Sequence, residues 1–280
     1  MSSNDNIKER IQRLSEFKSG FFSLKEDEPQ KINIKSNELF ENETRNNMVK
    51  WLVFLCDTLH FDIQTLYRSV IIFDKYISLS DLLKDEDLTQ EKMNLITIGC
   101  LSLGTKLEEI NCNYVKFFTD KVLNLPDCQI FSIKDLTQME MLILKKLNFK
   151  TIYSTCYDFL LFFLDIFKYL YNPTNFILEN IKNYALSLMK QNINTNLFLS
   201  MSQSDFAFCC LNQTFNQMGL FNVMMNLKNV LFLLNKNNDD NDNDNDNLLR
   251  TKRIELNNYD NNEINFNHNL EVKLFSLSSF

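Results

Sequence analysis

A glutamate interrupts an apolar helical segment near the centre of the chain. Glu140 stands among apolar side chains, namely Leu136, Met139, Met141, Leu142 and Ile143. A carboxylate is costly to remove from water unless a hydrogen-bonding or charged partner replaces the lost water. The pattern therefore predicts that Glu140 has a specific partner rather than a position in bulk solvent.

The residue patterns that catalysis needs are missing from the sequence. It has no glycine-rich phosphate loop and no Cys/His pair in the context of a nucleophile. Its seven Cys form no C-x-x-C pair, and its only two His are His60 and His268, so a metal site is not expected. We therefore predict a protein that is not an enzyme and that uses no cofactor.

Charge and cysteine usage bound the partners and the compartment. The formal net charge of −7 disfavours nucleic-acid and membrane partners, because binding to phosphates requires a basic surface. Cys56 and Cys100 lie in apolar periodic stretches, which indicates reduced thiols in an intracellular protein of the nucleus and/or cytoplasm. The N-terminus lacks an apolar signal core, and the longest apolar run, about residues 159–167, is too short to span a bilayer.

Helical periodicity governs the chain from about residue 38. With only four Gly and three Pro, the composition favours long helices over a fold with many turns. The first set of predicted helices covers about residues 38–59, 62–79, 89 onward, 113–119 and 132–148. Ser132 is a good N-cap for the fifth helix, and Asp135, three residues later, fits a capping box.

Two of the four glycines, Gly99 and Gly104, lie in the third predicted helix. Each glycine costs a helix about 1 kcal/mol relative to alanine. A close approach of neighbouring helices would compensate for that cost. We therefore expect the third helix at the centre of a helical bundle.

A second helical set follows a linker at about residues 148–155. Its helices are predicted at about residues 157–170, from Pro173 onward, at 197–219 and at 221–234. Residues 1–36 are expected to be a flexible arm, and the helical spacing of Ile7, Ile11 and Leu14 leaves a short amphipathic helix as the alternative. Residues 237–280 begin with an Asn/Asp run that cannot bury apolar surface, so we expect them to be disordered. The predicted domains are thus residues 37–150 and 151–236.

Four short motifs occur in order along the first set. They are R-N-N-M-V-K-W-L (45–52), F-D-K-Y-I-S-L (73–79), T-K-L-E-E-I (105–110) and M-E-M-L-I-L-K-K-L-N-F (139–149). This series resembles the cyclin box, the helical domain that binds and activates a cyclin-dependent kinase, and is most similar to cell-cycle cyclins of the A/B type. The resemblance implies an all-α protein with two tandem five-helix folds, the second divergent or shortened.

The resemblance assigns roles to two charged pairs. Arg45 and Asp74 correspond to an ion pair that joins the first two helices of the cyclin box. Lys106 and Glu140 correspond to residues that hydrogen-bond to the kinase beside its movable regulatory helix. Apolar residues next to this second pair, Leu107 and Ile110, are expected to supply buried contact area.

A third group corresponds to the patch on which cell-cycle cyclins dock Arg-x-Leu peptides of substrates and inhibitors. Met48, Trp51 and Asn94 match positions of this patch. Asn47 replaces a usual apolar residue, and Lys50 replaces a usual Asp. Trp51 is therefore either part of a docking patch or part of the core.

The resemblance implies a regulatory subunit that binds and activates a cyclin-dependent Ser/Thr kinase in cell-cycle control. Two alternatives stay open. One is a transcription-associated protein with tandem cyclin folds, which would need a basic surface for DNA. The other is a helical scaffold that has kept the fold without activating a kinase.

Overall fold

A computed structural model describes residues 3–31, 43–79, 89–109, 118–125 and 128–235. Within these ranges it contains α-helices and one π-helical turn, Phe118–Val122, and no strand, which confirms the all-α class. The helices are α1 (Ser3–Glu26), α2 (Glu43–Leu59), α3 (Ile63–Leu79), α4 (Gln90–Glu108), α5 (Ile133–Lys146), α6 (Cys156–Tyr171), α7 (Asn175–Asn192), α8 (Asn196–Ser200), α9 (Gln203–Gln217) and α10 (Phe221–Asn235). Most of the short helix predicted at 113–119, and the whole tail predicted at 237–280, lie outside the described residues.

Two compact units are formed from non-consecutive parts of the chain. The first unit comprises Asp27–Phe159 and Leu188–Ala207. The second unit comprises Met1–Glu26, Leu160–Ser187 and Phe208–Phe280. The domain boundaries expected from the sequence therefore stay predictions.

Helix α1 corrects the expectation of a flexible N-terminal arm for residues 3–26. In the second unit, the buried ring of Phe17 packs edge-on against Phe162 and Tyr169, with centroids 6.1 Å and 5.6 Å away. Phe21 is also buried, with its ring 5.7 Å from that of Phe162. These aromatic contacts join residues distant in sequence, so helical periodicity within the arm could not reveal them.

The single helix predicted at about 197–219 is instead divided into α8 and α9. Met201 has an extended backbone, with φ −99° and ψ 158°. Ser202 then caps the next helix, because its Oγ accepts a hydrogen bond of 3.1 Å from the amide of Asp205. Gly219, with φ 69°, follows α9 at the predicted end of this segment.

Helix α4 is the central helix of the first unit, and its glycines allow its neighbours to approach closely. A Cβ added at Gly99 would lie 3.0 Å from side-chain atoms of both Met139 and Ile143 on α5. A Cβ added at Gly104 would lie 2.2 Å from Ser69 Oγ and 3.1 Å from the Thr65 carbonyl on α3. The close approach predicted from these glycines is therefore present on two sides of α4.

A buried ion pair joins α2 to α3. Arg45 Nε and Nη2 donate to the two carboxylate oxygens of Asp74, each over 2.8 Å. The side chains are 0% and 3% exposed. Arg45 Nη2 also donates to the carbonyl of Ile193, at 3.2 Å, and the guanidinium carbon lies 5.8 Å from the ring centre of Phe198. One guanidinium thus connects three segments of the first unit.

We expect Gly104→Ala to destabilise the protein by about 1–3 kcal/mol, because the added methyl group overlaps Ser69 Oγ. Ser69 donates to the Thr65 carbonyl at 2.6 Å, so its movement would cost a buried hydrogen bond. Chemical denaturation measures the change. The control is Gly20→Ala on α1, whose Cβ would meet only Phe162 at 3.5 Å. The control should be neutral or stabilising by up to about 1 kcal/mol, and equal losses in both variants would contradict the packing argument.

Asp74→Ala should reduce the free energy of unfolding by about 3–5 kcal/mol, because it leaves the Arg45 charge buried without a carboxylate. Thermal and urea unfolding measure the loss. Asp57 is the matched control, since it pairs with Lys190 but has a side chain 57% exposed. Asp57→Ala should change stability by no more than about 0.5 kcal/mol. A similarly small loss for Asp74→Ala would show that the buried pair does not hold α2 against α3.

Candidate functional site

The candidate site is centred on an ion pair between α4 and α5. Lys106, in the last turn of α4, donates from Nζ to Glu140 Oε2 over 2.6 Å. Ser102, one turn earlier on α4, donates from its hydroxyl to Glu140 Oε1. Helix α4 therefore supplies partners for both oxygens of the carboxylate that interrupts the apolar face of α5.

The two members of this pair differ in exposure. The Lys106 side chain is 39% exposed, whereas that of Glu140 is 9% exposed. The buried carboxylate fixes the position of an ammonium group that reaches the surface. An ammonium held in this way is a preorganised hydrogen-bond donor for carbonyl groups of another protein.

A capping box sets the start of α5 and hence the position of Glu140. Ser132 Oγ accepts from the Asp135 amide at 3.2 Å, and Asp135 Oδ2 accepts from the Ser132 amide at 2.8 Å. Asp135 Oδ2 also accepts from the Ser132 hydroxyl, at 2.6 Å. These hydrogen bonds hold the pKa of the Asp135 carboxyl below its usual value. The capping box predicted from the sequence is therefore confirmed.

Two glutamates at the end of α4, which the sequence analysis did not assign, anchor the end that carries Lys106. Glu108 Oε1 accepts from Arg68 Nε at 2.6 Å, and Arg68 donates further to the Tyr153 carbonyl. Glu109 Oε1 accepts from the Asp62 amide at 2.8 Å and from the Thr65 hydroxyl at 2.7 Å. Their position at a helix C-terminus could have indicated this role in the sequence. Carboxylates there interact unfavourably with the helix dipole and need hydrogen-bond donors.

Exposed apolar side chains follow both members of the pair in sequence. Leu107 is 41% exposed, as expected for a contact residue, while Ile110 lies outside the described residues. Further large apolar side chains on or after α5 are also exposed, which the sequence analysis did not predict; they are Met141, Leu142, Phe149 and Ile152. Clustered apolar exposure of this kind is typical of a protein-binding surface.

The backbone after α5 holds Phe149 in an unfavourable conformation. Asn148 and Phe149 have φ values of 49° and 60°, in the left-handed region. The Phe149 amide donates to the Leu144 carbonyl at 2.8 Å, and the Asn148 amide donates to the Lys145 carbonyl at 3.1 Å, which together form a Schellman motif. A left-handed conformation costs a residue with a side chain about 1–2 kcal/mol. The hydrogen bonds at the helix end therefore hold the backbone of Phe149 in a strained conformation, and its side chain is 63% exposed.

The residues of the candidate docking patch lie at different depths. Met48 is 6% exposed, whereas Trp51 and Asn94 are half-buried. Gln90 connects two of them, since its Nε2 donates to Asn94 Oδ1 at 2.8 Å and lies 4.0 Å from Met48 Sδ. Met48 is thus part of the core, and peptide docking at Trp51 and Asn94 stays a prediction.

The described residues contain no group of side chains arranged for metal binding or for thiol catalysis. No group of three or more His, Cys, Asp or Glu side chains there is placed to hold a metal ion. The cysteines in these ranges are free thiols, and burial raises the pKa of Cys56 to about 12. No helix in the described ranges is both long and apolar enough to cross a membrane.

Comparison with known sequences gives a family match over the part of the chain that carries the candidate site. Residues 21–152 match the family model described as Cyclin, N-terminal domain. Cyclin-D2-2 of Oryza sativa subsp. japonica is 26% identical over 183 residues, which are 64% of this chain and 48% of that protein. The chain spans half or less of the length of the first curated relatives it matches.

Comparison with solved structures shows the same fold. The viral cyclin from herpesvirus saimiri matches with a TM-score of 0.50 and 16% identity, over 73% of this chain and 85% of that chain. A chain of the yeast RNA Pol II CTD kinase CTDK-1 complex matches with a TM-score of 0.50 and 18% identity, over 66% of this chain and 59% of that chain. These likenesses, at 16–18% identity, show the fold, and the family match identifies residues 21–152 as a cyclin N-terminal domain.

Proposed function

We propose that this protein is a regulatory subunit that binds and activates a cyclin-dependent Ser/Thr protein kinase in cell-cycle control. The observation that carries the proposal is the Lys106–Glu140 pair, which joins a half-exposed ammonium to a buried carboxylate beside exposed apolar side chains. In this role the chain catalyses no reaction. It supplies a surface that favours one conformation of its partner.

Kinase activation requires a conformational change that such a surface can drive. A glutamate on the movable regulatory helix of a kinase must reach the catalytic lysine that positions the phosphates. A partner that binds only the inward position of that helix shifts the population toward the active kinase. Lys106 would donate to backbone carbonyls of the kinase, and Leu107, Met141 and Phe149 would supply the apolar area that becomes buried.

The structural likenesses support a kinase as the partner class. One matching chain belongs to the yeast RNA Pol II CTD kinase CTDK-1 complex, and another is a viral cyclin. At 16–18% identity these matches establish the fold alone. The kinase partner of this chain is thus inferred from the site, with the likenesses as support.

A pulldown with the double variant K106A/E140A tests the proposal. Wild-type protein used as bait in native cells should recover a Ser/Thr kinase, identified by mass spectrometry and by phosphorylation of a generic substrate. The double variant should lose it, because both the ammonium and the carboxylate that positions it are removed.

The matched control for this pulldown is K182A/E179A, which removes an exposed ion pair of 3.6 Å on α7. It should recover as much kinase as the wild type. If wild-type protein recovers no kinase, the proposal is wrong, and the scaffold interpretation replaces it. If K106A/E140A recovers the same kinase, the kinase binds at a different surface of the protein.

Phe149→Gly should separate binding from stability. Glycine accepts a positive φ, so the free energy of unfolding should stay unchanged or rise by up to about 1 kcal/mol. Loss of the exposed ring should weaken kinase binding about tenfold, as for an aromatic hot-spot residue. Calorimetric titration and thermal unfolding measure the two effects.

Two further variants control for the glycine. Phe149→Asn keeps a residue that tolerates the left-handed region, and it should bind as weakly as Phe149→Gly. Phe232→Asn removes an aromatic ring that is 65% exposed on α10, and it should bind like the wild type. A large loss of stability in both Phe149 variants would show that this ring serves packing rather than binding.

A further inference from the structure

The exposed side of α5 and the residues after it form a basic face on an acidic protein. The chain has a formal net charge of −7. Yet four lysines of residues 133–152 are exposed, namely Lys134, Lys145, Lys146 and Lys150. The same stretch contains only two carboxylates, Asp135 and Glu140. Asp135 is engaged by Ser132, and Glu140 by Lys106 and Ser102.

The lysines of this face alternate with exposed apolar side chains. Lys134, Met141 and Lys145 share one side of α5, because they are separated by seven and four residues. Lys146 follows Leu142 by one helical turn, and Leu142 is 55% exposed. A surface of apolar groups bordered by cations suits a protein partner, and the formal net charge of −7 disfavours nucleic acid.

Within the described residues, no carboxylate forms an ion pair with Lys145 or Lys146. Both lie in the last turn of α5, where cations complement the helix dipole. Neither ammonium group forms an ion pair with another group of the described chain. Lys145 and Lys146 precede Phe149 by four and three residues, so they lie at the end of α5 close in sequence to an exposed side chain that the proposed function assigns to the kinase contact.

We propose that the partner kinase presents an acidic strip to Lys145 and Lys146, and that this pair of lysines selects and steers the partner. The inference rests on the proposed function, because it adds the two lysines that precede Phe149 to the surface proposed to contact the kinase. Charges at the border of an interface act mainly on the association rate and on discrimination between partners. The apolar side chains contribute buried area, while the lysines distinguish an acidic partner surface from a neutral or basic one.

The charge-reversal variant K145E/K146E tests this inference against the kinase catalytic subunit that the wild-type pulldown identifies. Association rates are measured by surface plasmon resonance with the purified kinase. At about 50 mM KCl the variant should associate about tenfold more slowly than the wild type. At about 500 mM KCl the difference should shrink to less than about twofold, because salt screens exposed charges.

The matched control is K168E/K228E, which makes the same change in net charge at two exposed lysines of α6 and α10. Lys168, like Lys145, lies in the last turn of its helix, so both variants oppose a helix dipole. The control should associate within about twofold of the wild type at either salt concentration. Thermal unfolding of all three proteins shows that the comparison is between folded chains.

The outcomes separate this inference from the proposed function. If the kinase binds the wild type and both variants at equal rates, the basic face has no role, while the regulatory function stands. If the control slows association as much as K145E/K146E, only net charge matters and the inference is overturned. A competition with short duplex DNA gives another contrary outcome. If the DNA binds the wild type but not K145E/K146E, and displaces the kinase from the wild type, the inference is overturned. If no kinase binds the wild type, both proposals fail together.

Discussion

The close packing around α4 is the constraint on which the candidate site depends. Gly99 admits Met139 and Ile143 of α5 on one side of the helix, and Gly104 admits Ser69 and Thr65 of α3 on another. Ser102, between the two glycines, and Lys106, two residues after the second, face α5 and reach the carboxylate of Glu140. A larger side chain at either glycine would move α4 away from its neighbours, and ångström-scale hydrogen bonds to a buried carboxylate tolerate little movement. The energetic cost of two glycines in a helix is therefore offset by tertiary packing, and that packing fixes the position of a surface ammonium group.

Two ion pairs of the first unit, Arg45–Asp74 and Lys106–Glu140, use similar chemistry in different places, and burial distinguishes them. Arg45 and Asp74 are both inaccessible to solvent, so their interaction cannot contribute to recognition. A pair of this kind fixes the arrangement of helices more than it adds stability, because desolvation offsets much of the attraction. Lys106 and Glu140 instead span the boundary between core and surface. The buried carboxylate limits the conformational freedom of the Lys106 side chain. A partner that accepts its hydrogen bond therefore causes a smaller loss of side-chain entropy on binding.

Local chemistry in the sequence predicted local features, and the family resemblance predicted the two charged pairs, but other contacts between distant residues were not predicted. The charge of Glu140 within an apolar segment and the Ser132 capping box are visible in a few consecutive residues, and so is the pair of glycines in one helix. The packing of Phe17 against Phe162 is not, because it joins residues far apart in the chain. The positive φ of Phe149 was also hidden, since Asn148 already provides the usual left-handed residue at the helix end. Glu108 and Glu109 lie within a motif quoted for its resemblance, but their anchoring role required knowing that Arg68 and Thr65 lie opposite.

A surface that acts by shifting a partner's population must itself resist rearrangement. If the regulatory surface adjusted to either position of a kinase helix, it would bind both states with similar affinity and shift neither. In this protein the surface is carried by α5 and the end of α4, which are fixed by a capping box, by carboxylates that accept several hydrogen bonds and by close helix contacts. The strain at Phe149 fits the same reasoning, because a residue kept in an unfavourable conformation shows that its surroundings determine the backbone. In the proposed function, rigidity at this surface would convert binding energy into a preference for one state of the partner.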